Sequence, residues 1–235
     1  MEKYKDFLER ISYQKAELQI GEGRFIPDGR VCEKVGNDNR FKPFFGDTVV
    51  FALEKRTQNV ISEIIDKLYE IAPECFCERI NTETIHITLH DLSASENLDI
   101  IASQVFRNEV KLLQIINSSP VKPQTIKMKA NYIINMVSTS LVLALVPTDK
   151  SEWNKLQEIY DLINEVKVCG YPFLTPRITL AYFNYNGFDE AASQKLKSAV
   201  FAINQNSFAL SLDTNKLFYQ KFIGMNKYFS VFPLV

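Results

Sequence analysis

The stretch Thr84-Ile85-His86-Ile87-Thr88-Leu89 returns later in the chain as Thr175-Pro176-Arg177-Ile178-Thr179-Leu180. Four of the six positions are identical, and a fifth exchanges one nitrogen-bearing side chain for another. The surroundings repeat as well. An apolar run precedes each copy, Val49 to Leu53 and then Leu141 to Val146, and a helical segment follows that run, Thr57 to Ala72 and then Ser151 to Val166. Phe51 stands 35 positions before His86, and Leu143 stands 34 before Arg177. Self-similarity at a matched spacing marks a duplicated structural unit, and it governs the assignments that follow.

Successive side chains of a strand point to opposite faces. Ile85, Ile87 and Leu89 therefore take one face of the first motif strand, and His86, Thr88 and His90 are expected to share the other. In the second, Ile178 and Leu180 oppose Arg177 and Thr179. If the halves pack as a pseudo-dimer, two pairs of a hydroxyl and a nitrogen-bearing group face each other across a cleft. That set suits a phosphate: hydroxyls donate to its oxygens, and the nitrogens carry charge or protons.

The paired motif resembles the two-histidine (2H) phosphoesterase superfamily, which includes bacterial RNA 2′,3′-cyclic phosphodiesterases and related cyclic nucleotide phosphodiesterases. The family's mark is a His-x-(Thr/Ser)-x motif in each lobe of a duplicated fold. His86-Ile87-Thr88-Leu89 fits it, whereas Arg177 stands where the second histidine belongs. Gly23-Arg24-Phe25-Ile26-Pro27-Asp28-Gly29-Arg30 and Pro43-Phe44-Phe45-Gly46-Asp47-Thr48 resemble, more loosely, the N-terminal part of an uncharacterised subgroup. The resemblance implies an α+β fold of two similar lobes, with antiparallel sheets lining a central cleft and helices outside. Residues 1–47 then form an N-terminal helix and an irregular arm. Residues 48–235 form one bilobal domain, its lobes near 48–117 and 124–235 with room for strand exchange between them.

Acid–base cleavage of a phosphodiester needs one group to take a proton from the nucleophile and another to protonate the leaving oxygen. Histidine, with a pKa of about 6.5, suits either task. His86 is the candidate catalyst, Arg177 the candidate anion clamp, and Thr88, Thr179 and His90 the candidate substrate contacts. A guanidinium keeps its proton, so Arg177 binds charge without relaying protons. Two outcomes stay open: a phosphodiesterase-like hydrolase acting on a cyclic nucleotide or an RNA 2′,3′-cyclic phosphate, or a non-catalytic module that binds a nucleotide or phosphate on the same fold. A protein-interaction scaffold would follow if the 21–47 arm plugged the cleft.

The whole chain narrows the partners. A net charge of −1 over 235 residues argues against bulk binding of nucleic acid, while leaving a small nucleotide or an RNA end as ligand. No histidine and acidic cluster has zinc-like spacing near the motifs, so neither a metal nor another cofactor is expected. Cys75-Phe76-Cys77 reads as buried thiols rather than a redox or metal motif. No apolar run reaches membrane-spanning length and Met1 to Ile20 is charged and amphipathic, so the expected compartment is the cytoplasm.

Along the chain, apolar spacing predicts helices over 2–19, 57–72, 98–116, 151–166 and 189–203. Strands are expected at 48–53, at 125–135 and 139–146 as a hairpin, and around 208–212, 216–223 and 227–232, besides the motif strands. Residues 21–47, rich in glycine, form either a surface connection or an arm that brings Arg24, Arg30 or Arg40 to the cleft. Tyr171 and Phe173, just before the second motif, are the candidates for stacking on a base.

Overall fold

The computed structural model describes residues 2–16, 18, 20–166 and 173–235. Its elements follow the predicted order. An N-terminal helix α1 (Tyr4–Ala16) and a short helix α2 (Val31–Lys34) within the arm lead to β1 (Phe45–Ala52), α3 (Lys55–Ile71), β2 (His86–Ser95) and α4 (Leu98–Ser118). The second half runs β3 (Thr125–Met136), β4 (Ser140–Pro147), α5 (Lys150–Leu162), β5 (Arg177–Tyr182), α6 (Glu190–Ile203) and β6 (Phe208–Asp213), and the chain closes with β7 (Leu217–Gly224) and β8 (Lys227–Pro233).

Local chemistry explains most boundaries. Asn97, Asp149 and Asp189 cap α4, α5 and α6, each accepting a hydrogen bond from a backbone N–H of the first turn. Ile61, Ile65 and Leu68, spaced four and three apart, bury one stripe of α3. The helix expected over 57–72 begins two residues earlier, at Lys55. The first motif strand runs on to Ser95.

All eight strands form one antiparallel sheet in the order β6-β3-β4-β5-β2-β1-β7-β8, curled into a half-barrel. The order is symmetric about its middle: β5 and β2 at the centre, β4 and β1 outside them, then β3 and β7, then β6 and β8. The sheet thus has two halves, β1, β2, β7 and β8 in the first and β3, β4, β5 and β6 in the second. The C-terminal hairpin β7–β8 crosses back to pair with β1 and completes the first half. At the centre β2 and β5 meet at a single pair, Thr88 opposite Arg177. Carried two residues along each strand, that register sets His86 opposite Thr179, so the two motif copies face each other across the pseudo-twofold axis.

Both central strands are interrupted by β-bulges at matching positions. Against β1, Val50 pairs with Thr88 and Val49 with His90, which leaves Leu89 as the extra residue. Against β4, Val142 pairs with Thr179 and Leu141 with Ala181, which leaves Leu180 extra. The duplication thus reaches the last residue of each motif. A bulge shifts the alternation of faces by one residue. Beyond it Asp91 and Tyr182 join the cleft side, while His90 and Ala181 go into packing, at 2% and 0% exposure.

A second shift in β2 is stapled by β1. Asp47, 1% exposed, accepts hydrogen bonds from Ser93 N (2.8 Å), Asn108 Nδ2 (3.0 Å) and the Tyr219 hydroxyl (3.1 Å), and Thr48 Oγ1 donates to the His90 carbonyl (2.8 Å). Side chains thereby satisfy backbone groups that the broken ladder leaves over. Burial pushes the Asp47 carboxyl above its ordinary pKa, against the hydrogen bonds that hold it. Gly46 lets β2 come this close, because a Cβ there would run into the Ser93 carbonyl and the Phe222 ring. The arm docks through a bridge between Phe25 and Phe188, beside Gly187, where φ is +69° and a Cβ would meet the Phe25 carbonyl. Cys75 and Cys77 are buried thiols with pKa values pushed up to about 12 by burial; Cys169 lies outside the described residues. No helix among the described residues is long and apolar enough to cross a membrane.

Asp47→Ala leaves the Ser93 N–H unpaired in the interior, and an unsatisfied buried donor costs roughly 1–3 kcal/mol. Urea denaturation should show a loss of at least that size. A change within about 0.5 kcal/mol, typical of a surface substitution, would contradict the staple.

Candidate functional site

A cleft of about 360 Å³ lies over the β2–β5 junction; His86, Thr88, Arg177 and Thr179 line it, and His90 adjoins it from the buried layer, 2% exposed. A one-turn 3₁₀ helix, Thr82–Thr84, delivers His86 to the first position of β2. His86 Nδ1 lies 2.7 Å from the Thr84 carbonyl oxygen. A carbonyl only accepts, so Nδ1 carries the proton and the neutral ring keeps its lone pair on Nε2. The ring packs against that of Tyr228, centroids 4.8 Å apart. Burial holds the His86 pKa below its ordinary value, with Arg177 acting in the same sense; the Thr84 carbonyl and Asp91 oppose them. The ring is therefore neutral at pH 7, in the form that accepts a proton.

Arg177 opens β5. Its Nη2 donates to Asp91 Oδ2 at 2.6 Å and its Nη1 to the Thr175 carbonyl at 3.3 Å, and the side chain is 20% exposed. Burial disfavours the Asp91 charge, but the charge and hydrogen bond of Arg177, with Lys34 and His86, outweigh it and hold the carboxyl below its ordinary pKa. The guanidinium is thus oriented by a fixed carboxylate. Farther back, Arg10 of α1 donates to Thr175 Oγ1 (2.9 Å) and to the Leu174 carbonyl (2.8 Å), tying down the segment that leads into β5. Thr88 is 8% exposed and Thr179 half-buried. Their hydroxyls make no hydrogen bond to another described residue and face the cleft.

His90 does not share the face of His86. The expectation assumed unbroken alternation, and the bulge at Leu89 breaks it. The His90 ring stacks on that of Tyr160, centroids 4.0 Å apart, and its Nε2 donates to the Tyr160 carbonyl at 2.9 Å. The arm borders the cleft instead of filling it. Arg30 reaches the wall and is paired with Asp28 at 2.7 Å; Arg24 donates to the Asn186 carbonyl, and Arg40 lies away from the cleft. The arm also supplies Lys34, which sequence reasoning missed along with Asp91, Tyr182 and Tyr228. Tyr182 and Tyr228 point their hydroxyls at the Met225 sulfur, at 3.1 and 4.0 Å. Phe173 stands at the rim, 50% exposed, with the Arg10 guanidinium 5.5 Å from its ring centre. Tyr171 lies outside the described residues.

No family model matches the sequence, and no curated protein does. Solved structures do. A conserved protein of unknown function from Agrobacterium tumefaciens, ATU0111, is 12% identical and superposes with a TM-score of 0.66 over 90% of this chain and 94% of its own, so the two share a fold. Escherichia coli LigT in its apo form (14% identity, TM-score 0.46, 80% and 95% covered) and TT0787 of Thermus thermophilus (11%, 0.47, 79% and 94%) are more distant likenesses.

The chain has only two histidines, so NMR can follow both. His86 should titrate below about 6.5. Asp91→Asn removes a charge that favours the imidazolium and should lower the midpoint further, whereas Arg177→Ala should raise it. Shifts of the opposite sign would contradict this electrostatic arrangement.

Proposed function

We propose that the cleft binds the phosphate of a small nucleotide or RNA end, and that the protein is a metal-independent phosphodiesterase acting on a cyclic nucleotide or a 2′,3′-cyclic phosphate. The observation that carries this reading is the meeting of both motif copies at one register pair, with a proton acceptor, a fixed cation and two unengaged hydroxyls on one cleft. Neutral His86 takes a proton from the attacking water through Nε2. Arg177, oriented by Asp91, binds a non-bridging phosphate oxygen and stabilises the charge that builds there in the transition state. Thr88 and Thr179 donate to the same group. Phe173, exposed at the rim, offers a ring to a base. The likeness to LigT and the resemblance of the paired motif point the same way without naming a substrate.

One observation favours the alternative, a nucleotide- or phosphate-binding module without turnover: of the two motif positions that would trade protons, only His86 can do so. The two readings separate by mutation, with adenosine 2′,3′-cyclic phosphate as probe. In an enzyme, His86→Ala should lower kcat by about 10²–10⁴-fold with a smaller effect on affinity. Arg177→Ala should lose both rate and affinity, the latter by roughly 1.5–3 kcal/mol as expected for a hydrogen bond to a charged group. A wild type that binds the probe without turning it over would leave the binding module. A wild type that neither binds nor cleaves it, or two variants indistinguishable from it, would remove the site from consideration. Turnover should also survive EDTA; loss on chelation with rescue by a divalent ion would contradict the mechanism.

A further inference from the structure

Lys34 is a cation of the cleft wall that the mechanism above does not use. It sits in the last turn of α2, half-buried, with its ammonium 5.2 Å from the ring centre of Phe44 and 5.5 Å from that of Tyr182. Ring faces attract a cation but do not replace an oxygen acceptor. Among the described residues no carboxylate, carbonyl or hydroxyl takes a hydrogen bond from it. Its neighbours are different: Arg30 is answered by Asp28, Arg177 by Asp91 and Lys42 by Glu96. An ammonium has three donors and no acceptor capacity, so those of Lys34 are left for what enters the cleft.

Its position fits a particular task. His86 packs on Tyr228 of β8, and the Lys34 ammonium lies over Phe44, just before β1, and over Tyr182 of β5. The Arg177–Asp91 pair acts electrostatically on both groups. One cleft is therefore lined by both a proton acceptor and an ammonium.

We propose that Lys34 is the proton donor to the leaving oxygen, the role that Arg177 leaves open; this rests on the hydrolase reading above. In opening a 2′,3′-cyclic phosphate, water forms a new oxygen–phosphorus bond as His86 Nε2 takes its proton. The bond from phosphorus to one ribose oxygen breaks, that oxygen keeps the electron pair, and Lys34 protonates it. The products are a phosphomonoester and a hydroxyl, with His86 protonated and Lys34 neutral. Exchange with solvent resets both. Burial brings the Lys34 pKa below the usual lysine value; Arg177 and Arg30 act in the same sense, and Asp91 and Glu33 against it. A lowered value suits an ammonium to donation near neutral pH. The Tyr182 hydroxyl, the other protic group beside it, is driven the opposite way by burial.

The test is Lys34→Arg, which keeps the charge and gives up the transferable proton. With adenosine 2′,3′-cyclic phosphate, kcat should fall by about 10²–10⁴-fold, while affinity for 3′-AMP stays at the wild-type level and the alkaline fall of the wild-type pH profile disappears. With a nucleoside p-nitrophenyl phosphodiester, whose leaving group departs without a proton, the variant should stay near wild type, and His86→Ala should lose activity on both substrates. Wild-type turnover of the cyclic substrate by Lys34→Arg, or equal losses on the two substrates, would overturn the assignment and leave the hydrolase reading in place. Lys34→Met, a less bulky replacement, also removes the charge and should weaken 3′-AMP binding; at saturating substrate, a fall in kcat confined to the cyclic substrate supports the donor role, and an equal fall in kcat on both overturns it. A wild type inactive on both substrates would fail the hydrolase reading itself.

Discussion

Two β-bulges, one at the last residue of each motif copy, set the geometry on which everything else in the cleft depends. A strand without a bulge presents every second residue. With Leu89 and Leu180 inserted, Asp91 and Tyr182 come onto the side that His86, Thr88, Arg177 and Thr179 already occupy. Asp91 then meets Arg177 across the single pair that joins the two halves of the sheet. Thr48 of β1 takes up the His90 carbonyl beside the first bulge, and at a further shift of the same strand Asp47, itself held by Asn108 of α4, takes up the Ser93 N–H. These polar groups are in the interior because the strands are irregular there, and the strands are irregular where the site is.

The electrostatics follow from that geometry. Asp91 turns a freely rotating guanidinium into an oriented one and offsets part of the positive charge that would otherwise surround His86. Burial and Arg177 together still keep His86 neutral, and the Thr84 carbonyl decides which of its nitrogens is basic. Arg177, at the second motif, holds a permanent charge and transfers no proton. Under the proposed reading, the arm supplies the proton donor, since α2 carries Lys34 to the wall of the same cleft.

Much of this was legible in the sequence. The repeat led to the duplicated α+β architecture, and the order of strands and helices came from apolar periodicity. The motif positions led to the cleft. The side chains added by the bulges were misassigned for a definite reason: alternation was extended through Leu89, which put His90 in place of Asp91. The signal was present, because apolar residues at 85, 87 and 89 give way to Leu92, and those at 178 and 180 give way to Ala181 and Phe183. Such a slip by one residue is what a bulge leaves in a sequence. Lys34, Tyr228 and the hold of Arg10 on the second motif carry no local signal. They reach the site through tertiary packing of the arm, of the returning C-terminal hairpin and of α1, contacts spanning up to 165 residues of sequence.

Under the proposed reading, the duplicated motif builds one phosphate site at the β2–β5 junction. A crystal structure with nucleoside 3′-phosphate bound tests it most directly. That structure should show a phosphate within hydrogen-bonding distance of the Thr88 and Thr179 hydroxyls and of the Arg177 guanidinium, with His86 Nε2 facing the phosphorus. A nucleotide seated elsewhere while the cleft stays empty, at concentrations that saturate binding in solution, would contradict it.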